Sequence, residues 1–362
     1  MEQHSRWIPH SSPTLNGVDR RHVRAVMQSG FIGHGKIATE LEHKFCERIG
    51  RRFAFSVLSG FHALSLALRA LDLAPKSTVA MPVLTCGSVL EAVLGAGHNP
   101  RIVDIDKTRL TLDFDSIGEA NDALVLPHAY GAPANVAKAV ALGIPWIEDC
   151  ATTPAALVDG RPAGAWGTFA IFSFGSTKYL TGGGGGMVVT DDAELAYRIE
   201  DLLRIDRRDA SIWRNGIPAA LPGRLPDLNA SLVASQLTQL EKFVQCRMAI
   251  ARVYNFALAD CKDVLLPADV PGHTFFRFVC RMAGAAEEFA SRLREQGIDA
   301  RSSVNPWLDE LCKDRSIPVG GSMKGAEYWR GHLLSLPIHP TMRDADVERV
   351  SSAVAGQLIA RN

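Results

Sequence analysis

The sequence predicts an α/β fold in which a central, mostly parallel sheet is flanked by helices and followed by a smaller α+β domain. Between Phe53 and Thr190, short apolar, β-branched or aromatic runs alternate with helical segments, and most of the runs are nearly continuous in hydrophobicity. That pattern suits strands covered on both faces and joined by parallel crossovers. A length of 362 residues is enough for roughly two domains, each with its own core.

The elements follow in chain order. Ile37, Leu41, Phe45 and Ile49 recur every fourth residue and Gly50 supplies a stop, so this stretch is an amphipathic helix. Phe53 to Val57, Thr78 to Pro82, Arg101 to Ile105, Ala123 to Pro127, Ile144 to Glu148, Phe169 to Phe172 and Met187 to Thr190 read as strands, and Ala63 to Leu71 as a helix. Asn229 to Leu258 carries one long helical pattern through Leu232, Leu237, Leu240, Val244, Met248 and Tyr254. Beyond it come a strand from Phe275 to Val279, a helix from Ala286 to Gln296 stopped by Gly297, and a short apolar run from Leu333 to Leu336. The expected division is a large domain over residues 1–250 and a small one over 251–362, with the first 30 residues as candidates for packing on the small domain. Residues 206 to 228 hold Pro218, Pro222, Gly223 and Pro226 without a clear period, which predicts a long and therefore functional loop.

Lys and Arg number 39, as do Asp and Glu, so the formal net charge is zero. A nucleic acid or an anionic membrane is not the expected partner of such a chain. The polar stretch from Met1 to Pro13 has no signal-peptide core, and no run of about 18 apolar residues occurs. Seven scattered cysteines without a C-x-x-C pair read as reduced thiols, not as a disulfide framework or a zinc site. A cytoplasmic protein without a metal is the expectation.

Standard motifs fail. There is no dinucleotide-binding glycine pattern behind a strand, no phosphate-binding P-loop, no nucleophile elbow, no H-E-x-x-H and no calcium loop. What remains is a set of strand ends. Asp149 ends the run Ile147-Glu148-Asp149, at the rim where open α/β sheets bind ligands. Ser173 to Lys178 leaves another strand with several small hydroxyls ahead of one lysine, and the glycine run Gly182 to Gly186 follows. Ser59-Gly60-Phe61-His62 opens a helix directly after a strand, which makes an anion site of its N–H groups. A phosphate cradle, a carboxylate and a lysine are what pyridoxal phosphate requires: donors for its phosphate, an acid against its pyridine nitrogen and an amine for its aldehyde.

The ordered motifs resemble those of the DegT/DnrJ/StrS sugar aminotransferases, enzymes of the fold-type-I, aspartate aminotransferase-like architecture, over nearly the whole chain. The carrying segments are Ser29 to Gly35, Ser59-Gly60-x-x-Ala63-Leu64, Val103 to Asp106, Ile147 to Ala151, Gly164-x-x-Gly167-Thr168-Phe169, Phe172-Ser173-Phe174-x-x-Thr177-Lys178, Gly185 to Thr190 and Leu334 to Pro340. Lys178 follows Asp149 by 29 residues, a separation that also fits the family. The resemblance implies that Lys178 carries the cofactor and moves the catalytic proton, that Asp149 partners the pyridine nitrogen, and that Ser173 holds the phosphate together with the backbone at Gly60 and Phe61. It further implies an amino-acid donor such as glutamate, a keto sugar acceptor that is nucleotide-linked, a role in surface-polysaccharide or secondary-metabolite sugar synthesis, and a homodimer with shared active sites.

This chain departs from the family pattern at several places. Phe61 stands where a Thr is usual, Cys86 where an aromatic residue stacks on the cofactor ring, Thr152 where a Gln is common, and Gly184 where a Glu is usual. Arg224 lies near the position of an Asn that reaches the partner's phosphate. His128 and Tyr130, at another strand end, are candidates for substrate binding beside the plainer reading that they shape their loop. Two alternatives follow. One is a sugar dehydratase of the same fold, whose branch has His in place of the lysine, so that Lys178 counts against it. The other is a catalytically weak cofactor-binding or regulatory protein.

Overall fold

The structure is a computed structural model that describes residues 6–206, 208–303, 306–313, 315, 317, 319 and 321–359. Residues 1–5 of the polar N-terminal stretch lie outside the described residues. The strands in chain order are β1 (Phe53–Val57), β2 (Thr78–Pro82), β3 (Asn99–Val103), β4 (Ala123–Pro127), β5 (Trp146–Asp149), the short pair β6 (Leu157–Val158) and β7 (Arg161–Pro162), β8 (Phe169–Ser173), β9 (Gly186–Thr190), β10 (Val264–Leu265), β11 (Phe278–Met282) and β12 (Leu333–Leu336).

Seven strands form the large sheet in the order β1-β9-β8-β5-β4-β2-β3. Its β2, β3, β4, β5 and β8 are paired in parallel, while β9 runs antiparallel to β8 and β1. Both faces are covered, as the nearly continuous hydrophobicity requires. Met81, Val125, Ile147, Ile171 and Val188 point into one core, whereas Ala80, Leu124, Leu126, Ala170, Phe172 and Val189 point into the other. The alternation is the period of two that a pleated strand imposes. A third core joins Tyr254, Phe278, Phe289, Leu334 and Val350 around the antiparallel sheet β10-β11-β12.

The first described residues divide between these parts. Ile8 belongs to the third core and bridges Ile298, while the helix Gly17–Ser29 lies against the helix Asp227–Leu237. That first helix is closed at its start by a capping box between Asn16 and Asp19 and at its end by Gly30 in the left-handed region. The helix Lys36–Ile49 is capped from afar, because the Asp227 carboxylate accepts from the N–H groups of Gly35, Ile37 and Ala38.

Three sequence expectations shift. The long helical pattern from Asn229 is two helices, Asp227–Leu237 and Leu240–Leu258. It breaks where Thr238 Oγ1 turns back to the Ser235 carbonyl and Gln239 bonds Asn16 and Asp19 with its side chain. The strand expected from Phe275 begins at Phe278, since Phe275 has φ 53° and its ring stacks on His273. The strands near Arg101 and Ile144 slide by about two residues, to Asn99–Val103 and Trp146–Asp149. Among the described residues, no helix is long and apolar enough to cross a membrane.

Candidate active site

The carboxyl ends of β1, β2, β4, β5 and β8 meet at one rim of the sheet, and each contributes part of the site. After β1, Ser59 caps the helix Gly60–Ala70 by accepting from His62 N–H at 3.0 Å. The N–H groups of Gly60 and Phe61 start this helix and so have no acceptor within it. A Cβ built on Gly60 would lie 2.8 Å from Ser173 Cβ and 3.1 Å from its Oγ, so the turn packs directly on the end of β8. The glycine run has the same origin, because any side chain at Gly186 would collide with the Ser59 carbonyl. Ser173 Oγ makes no hydrogen bond among the described residues, which leaves it available beside those N–H groups. Gly175 links this cradle to the lysine: its missing Cβ would sit 3.8 Å from Ser173 Oγ and 3.7 Å from Lys178 Cγ.

Lys178 opens onto a cavity of about 450 Å³ whose walls include Cys86, Asp149, Thr152, Phe276 and Arg277. Burial pulls the Lys178 ammonium below the usual lysine range, the charge of Asp149 opposes this and Arg277 adds to it. Asp149 is buried, and burial pushes its carboxyl up against the pull of the Ala151 N–H and the Lys178 charge. Its Oδ1 accepts from Ala151 N–H at 3.0 Å, its one side-chain hydrogen bond among the described residues. A buried carboxylate with spare acceptor capacity, facing a cavity, suits a protonated ring nitrogen that would favour its ionised form.

Strand alternation sends the preceding Glu148 to the opposite face. There it accepts from His128 Nε2 at 2.9 Å and from the N–H groups of Gly164, Trp166 and Gly167. His128 Nδ1 accepts from Ala134 N–H at 2.9 Å, so its proton is on Nε2. Both ring nitrogens are thereby used and the side chain is fully buried; His128 holds the loop and does not offer its ring to a substrate. Thr152 reaches the cavity wall, but its hydroxyl donates to the His128 carbonyl at 2.7 Å, leaving only its lone pairs for a ligand. Cys86 is exposed on the wall at the start of the helix Gly87–Gly95.

Tyr130 is buried with φ 54°, lines the cavity and has no partner for its hydroxyl among the described residues. Arg224 is outside the cavity: it bridges Val57 beside β1 and pairs with Glu200. Its loop is fastened there by Leu58 N–H to the Gly223 carbonyl and by His62 Nε2 to the Leu221 carbonyl. Sequence reading missed Phe276 and Arg277, which lie just before β11, and Arg301, which bridges Ser335 of β12; all three line the cavity. The available signal was an arginine set within the apolar run from Phe275 to Val279.

A phosphate cradle, a buried carboxylate and a desolvated lysine on one sheet rim define a pyridoxal-phosphate enzyme of fold type I, and the residues fit that cofactor. The profile of the DegT/DnrJ/EryC1/StrS aminotransferase family matches residues 13–355, and the chain belongs to that family. Among solved structures it is similar to the aminotransferase TlmJ from Streptoalloteichus hindustanus, at 27% identity and TM-score 0.87, covering 98% of this chain and 100% of that one. DesV from S. venezuelae is 30% identical with TM-score 0.85 over 94% of each chain. GDP-4-keto-6-deoxy-D-mannose-3-dehydratase from E. coli superposes with TM-score 0.87 at 18% identity, covering 97% of this chain and 100% of that one. At that identity the likeness is one of fold alone.

Proposed function

We propose that the chain transfers the amino group of an amino acid, with glutamate as the expected donor, to a keto sugar carried on a nucleotide. The observation that carries this reading is Lys178, half-buried and desolvated enough to lose part of its proton affinity, and adjoining both Ser173 and the Asp149 cavity. The dehydratase relative shows that this fold serves more than one reaction, and a lysine at this position favours amino transfer.

Gly60, Phe61 and Ser173 would hold the cofactor phosphate, Asp149 its ring nitrogen and Lys178 its aldehyde carbon. Bound pyridoxal phosphate supplies an electron sink that labilises the hydrogen on the α-carbon of an amino acid. Lys178 Nζ, with its lowered proton affinity, takes that proton as a base and returns it as an acid. Asp149, buried on the cavity wall, supplies a fixed negative charge whose effect is strengthened by exclusion of water. Cys86 and Thr152 leave one face of the site less crowded than an aromatic residue and a glutamine would, which supports an altered acceptor.

A homodimer in the cytoplasm completes the proposal. Phe31, Ile32, Leu58 and Phe61 are each about half exposed. Ile32 and Gly33 bond the segment at Asp227 and Leu228, and Leu225 bonds Ser56, so these apolar side chains border the phosphate turn on one side of the molecule. Arg224, in the same region, would face the partner. The test of the function is a panel of nucleotide-linked keto sugars incubated with ¹⁵N-labelled glutamate and read by mass. An aminated sugar carrying the label is expected. Loss of water from the sugar without nitrogen gain would overturn the reading in favour of a dehydratase.

A further inference from the structure

Arg277 is an unbalanced buried charge. It is 6% exposed, and among the described residues its Nε has no hydrogen-bond partner and its one hydrogen bond is a long one, 3.5 Å from Nη1 to the His10 carbonyl. Its nearest charged company is cationic: Arg247 and Arg301 both press it down, after burial itself, to a pKa of about 10. These neighbours are otherwise engaged. Arg247 donates to the Phe276 and Ile338 carbonyls and lies over the Tyr179 ring, and Arg301 pairs with Asp299 at 3.0 Å. Arg277 has no carboxylate of its own among the described residues. Beside it, the hydroxyl of Tyr130 is a second buried donor without an acceptor among the described residues. Both residues line the Lys178 cavity.

A buried guanidinium and a buried phenol that lack acceptors call for an anion from outside. Its identity follows from position. Arg277 Cζ lies 4.7 Å and Lys178 Nζ 5.5 Å from the centroid of the same Phe276 ring, and both side chains line one cavity, so an anion on Arg277 shares that space with the reacting amine. An amino acid has that arrangement, with a carboxylate on the carbon that bears the nitrogen. The diphosphate of a nucleotide sugar is separated from its keto carbon by the sugar ring. A planar guanidinium also matches a carboxylate with two parallel hydrogen bonds. We infer that Arg277 anchors the carboxylate of the amino donor, with Tyr130 Oη as a second donor to the same group. The inference rests on the aminotransferase reading above and names the part of the site that would receive the first substrate.

The test uses 2-methylglutamate, which keeps both carboxylates but lacks the α-hydrogen, with UDP as a separate phosphate probe. Binding to the cofactor-loaded wild type, Arg277→Met and Arg277→Lys is measured by calorimetry, alongside melting temperatures without ligand. Arg277→Met is expected to bind 2-methylglutamate about 10- to 100-fold more weakly, to bind UDP as the wild type does, and to melt no lower than the wild type. Arg277→Lys retains the charge and guards against a variant that fails to fold, and it is expected to bind 2-methylglutamate more weakly than the wild type does. Equal binding of 2-methylglutamate by wild type and variants, no binding to the wild type, or a loss confined to UDP would each overturn the assignment. Because 2-methylglutamate is not turned over, its binding is read independently of amino transfer. Absence of labelled sugar from glutamate would strike the proposed function alone.

Discussion

Replacing Glu148 by Gln tests whether the face of β5 behind Asp149 is what holds the site in place. Glu148 is completely buried and meets four donors: Oε1 takes His128 Nε2 at 2.9 Å and Gly164 N–H at 2.7 Å, while Oε2 takes Trp166 N–H at 3.0 Å and Gly167 N–H at 3.1 Å. Glutamine keeps the shape but turns one oxygen into an NH₂ group, so two of the four donors then face a donor. At about 1–3 kcal/mol for each buried donor left unmet, the loss is about 4 kcal/mol. Urea denaturation at pH 7 without cofactor measures it. A loss below about 1 kcal/mol, the size of an ordinary substitution, would refute the reasoning. The pH dependence gives a second check. Burial raises the Glu148 carboxyl, but the hydrogen bond from His128, with those from the Gly164 and Trp166 N–H groups, carries it below the usual range. Its stabilisation is therefore present above the ordinary carboxylate pKa and lost as pH falls through the lowered one. The difference between wild type and Glu148→Gln shrinks on acidification.

Other consequences can be measured separately. Gly60→Ala places a methyl 2.8 Å from Ser173 Cβ and is expected to weaken cofactor affinity about tenfold or more by spoiling charge-assisted phosphate contacts, as equilibrium dialysis would show; unchanged affinity would remove the cradle. Asp149→Asn should retain the cofactor yet lose about 100-fold or more in turnover with glutamate, and a rate within a few-fold of wild type would contradict the role given to Asp149. Cofactor uptake by the apoprotein needs a neutral Lys178, so its rate should rise with pH with a midpoint below the usual lysine value. Because the Asp149 charge holds that midpoint up, Asp149→Asn should lower it further, and an upward move would reverse the assigned electrostatics. Leu58→Glu is expected to bring the mass seen by light scattering toward the 39.2 kDa of one chain, whereas an undisturbed dimer would place the interface elsewhere.

The large sheet was legible because strands such as Ala123–Pro127 and Gly186–Thr190 are buried on both faces and advertise this with unbroken apolar runs. Asp149 and Lys178 were legible because the first ends such a strand and the second follows one. The direction of the flanking side chains was less visible. Glu148 and His128 turn toward each other through the sheet's pleat and through the fold of the loop at Ala134, contacts between residues distant in sequence. Arg277 escaped because a charged residue in an apolar strand reads as a surface position until the packing of Arg247, Phe276 and Tyr130 around it is known. The break at Thr238 was hidden for the same reason, since the helical period of Leu237, Leu240 and Val244 continues across it. Arg224 was placed by motif spacing alone, in a loop where spacing does not determine which side of β1 a side chain joins.

Lys178 makes this cavity an amino-transferring site in the function proposed above. A single-turnover experiment addresses it directly: excess glutamate is added to the cofactor-loaded protein without any acceptor, and released 2-oxoglutarate is quantified for wild type and Lys178→Ala. About one equivalent per active site is expected from the wild type, because Lys178 moves the proton that completes the half-reaction, and none from Lys178→Ala on the same timescale. No 2-oxoglutarate from a wild type that carries its cofactor, or an equal yield from Lys178→Ala, would contradict it.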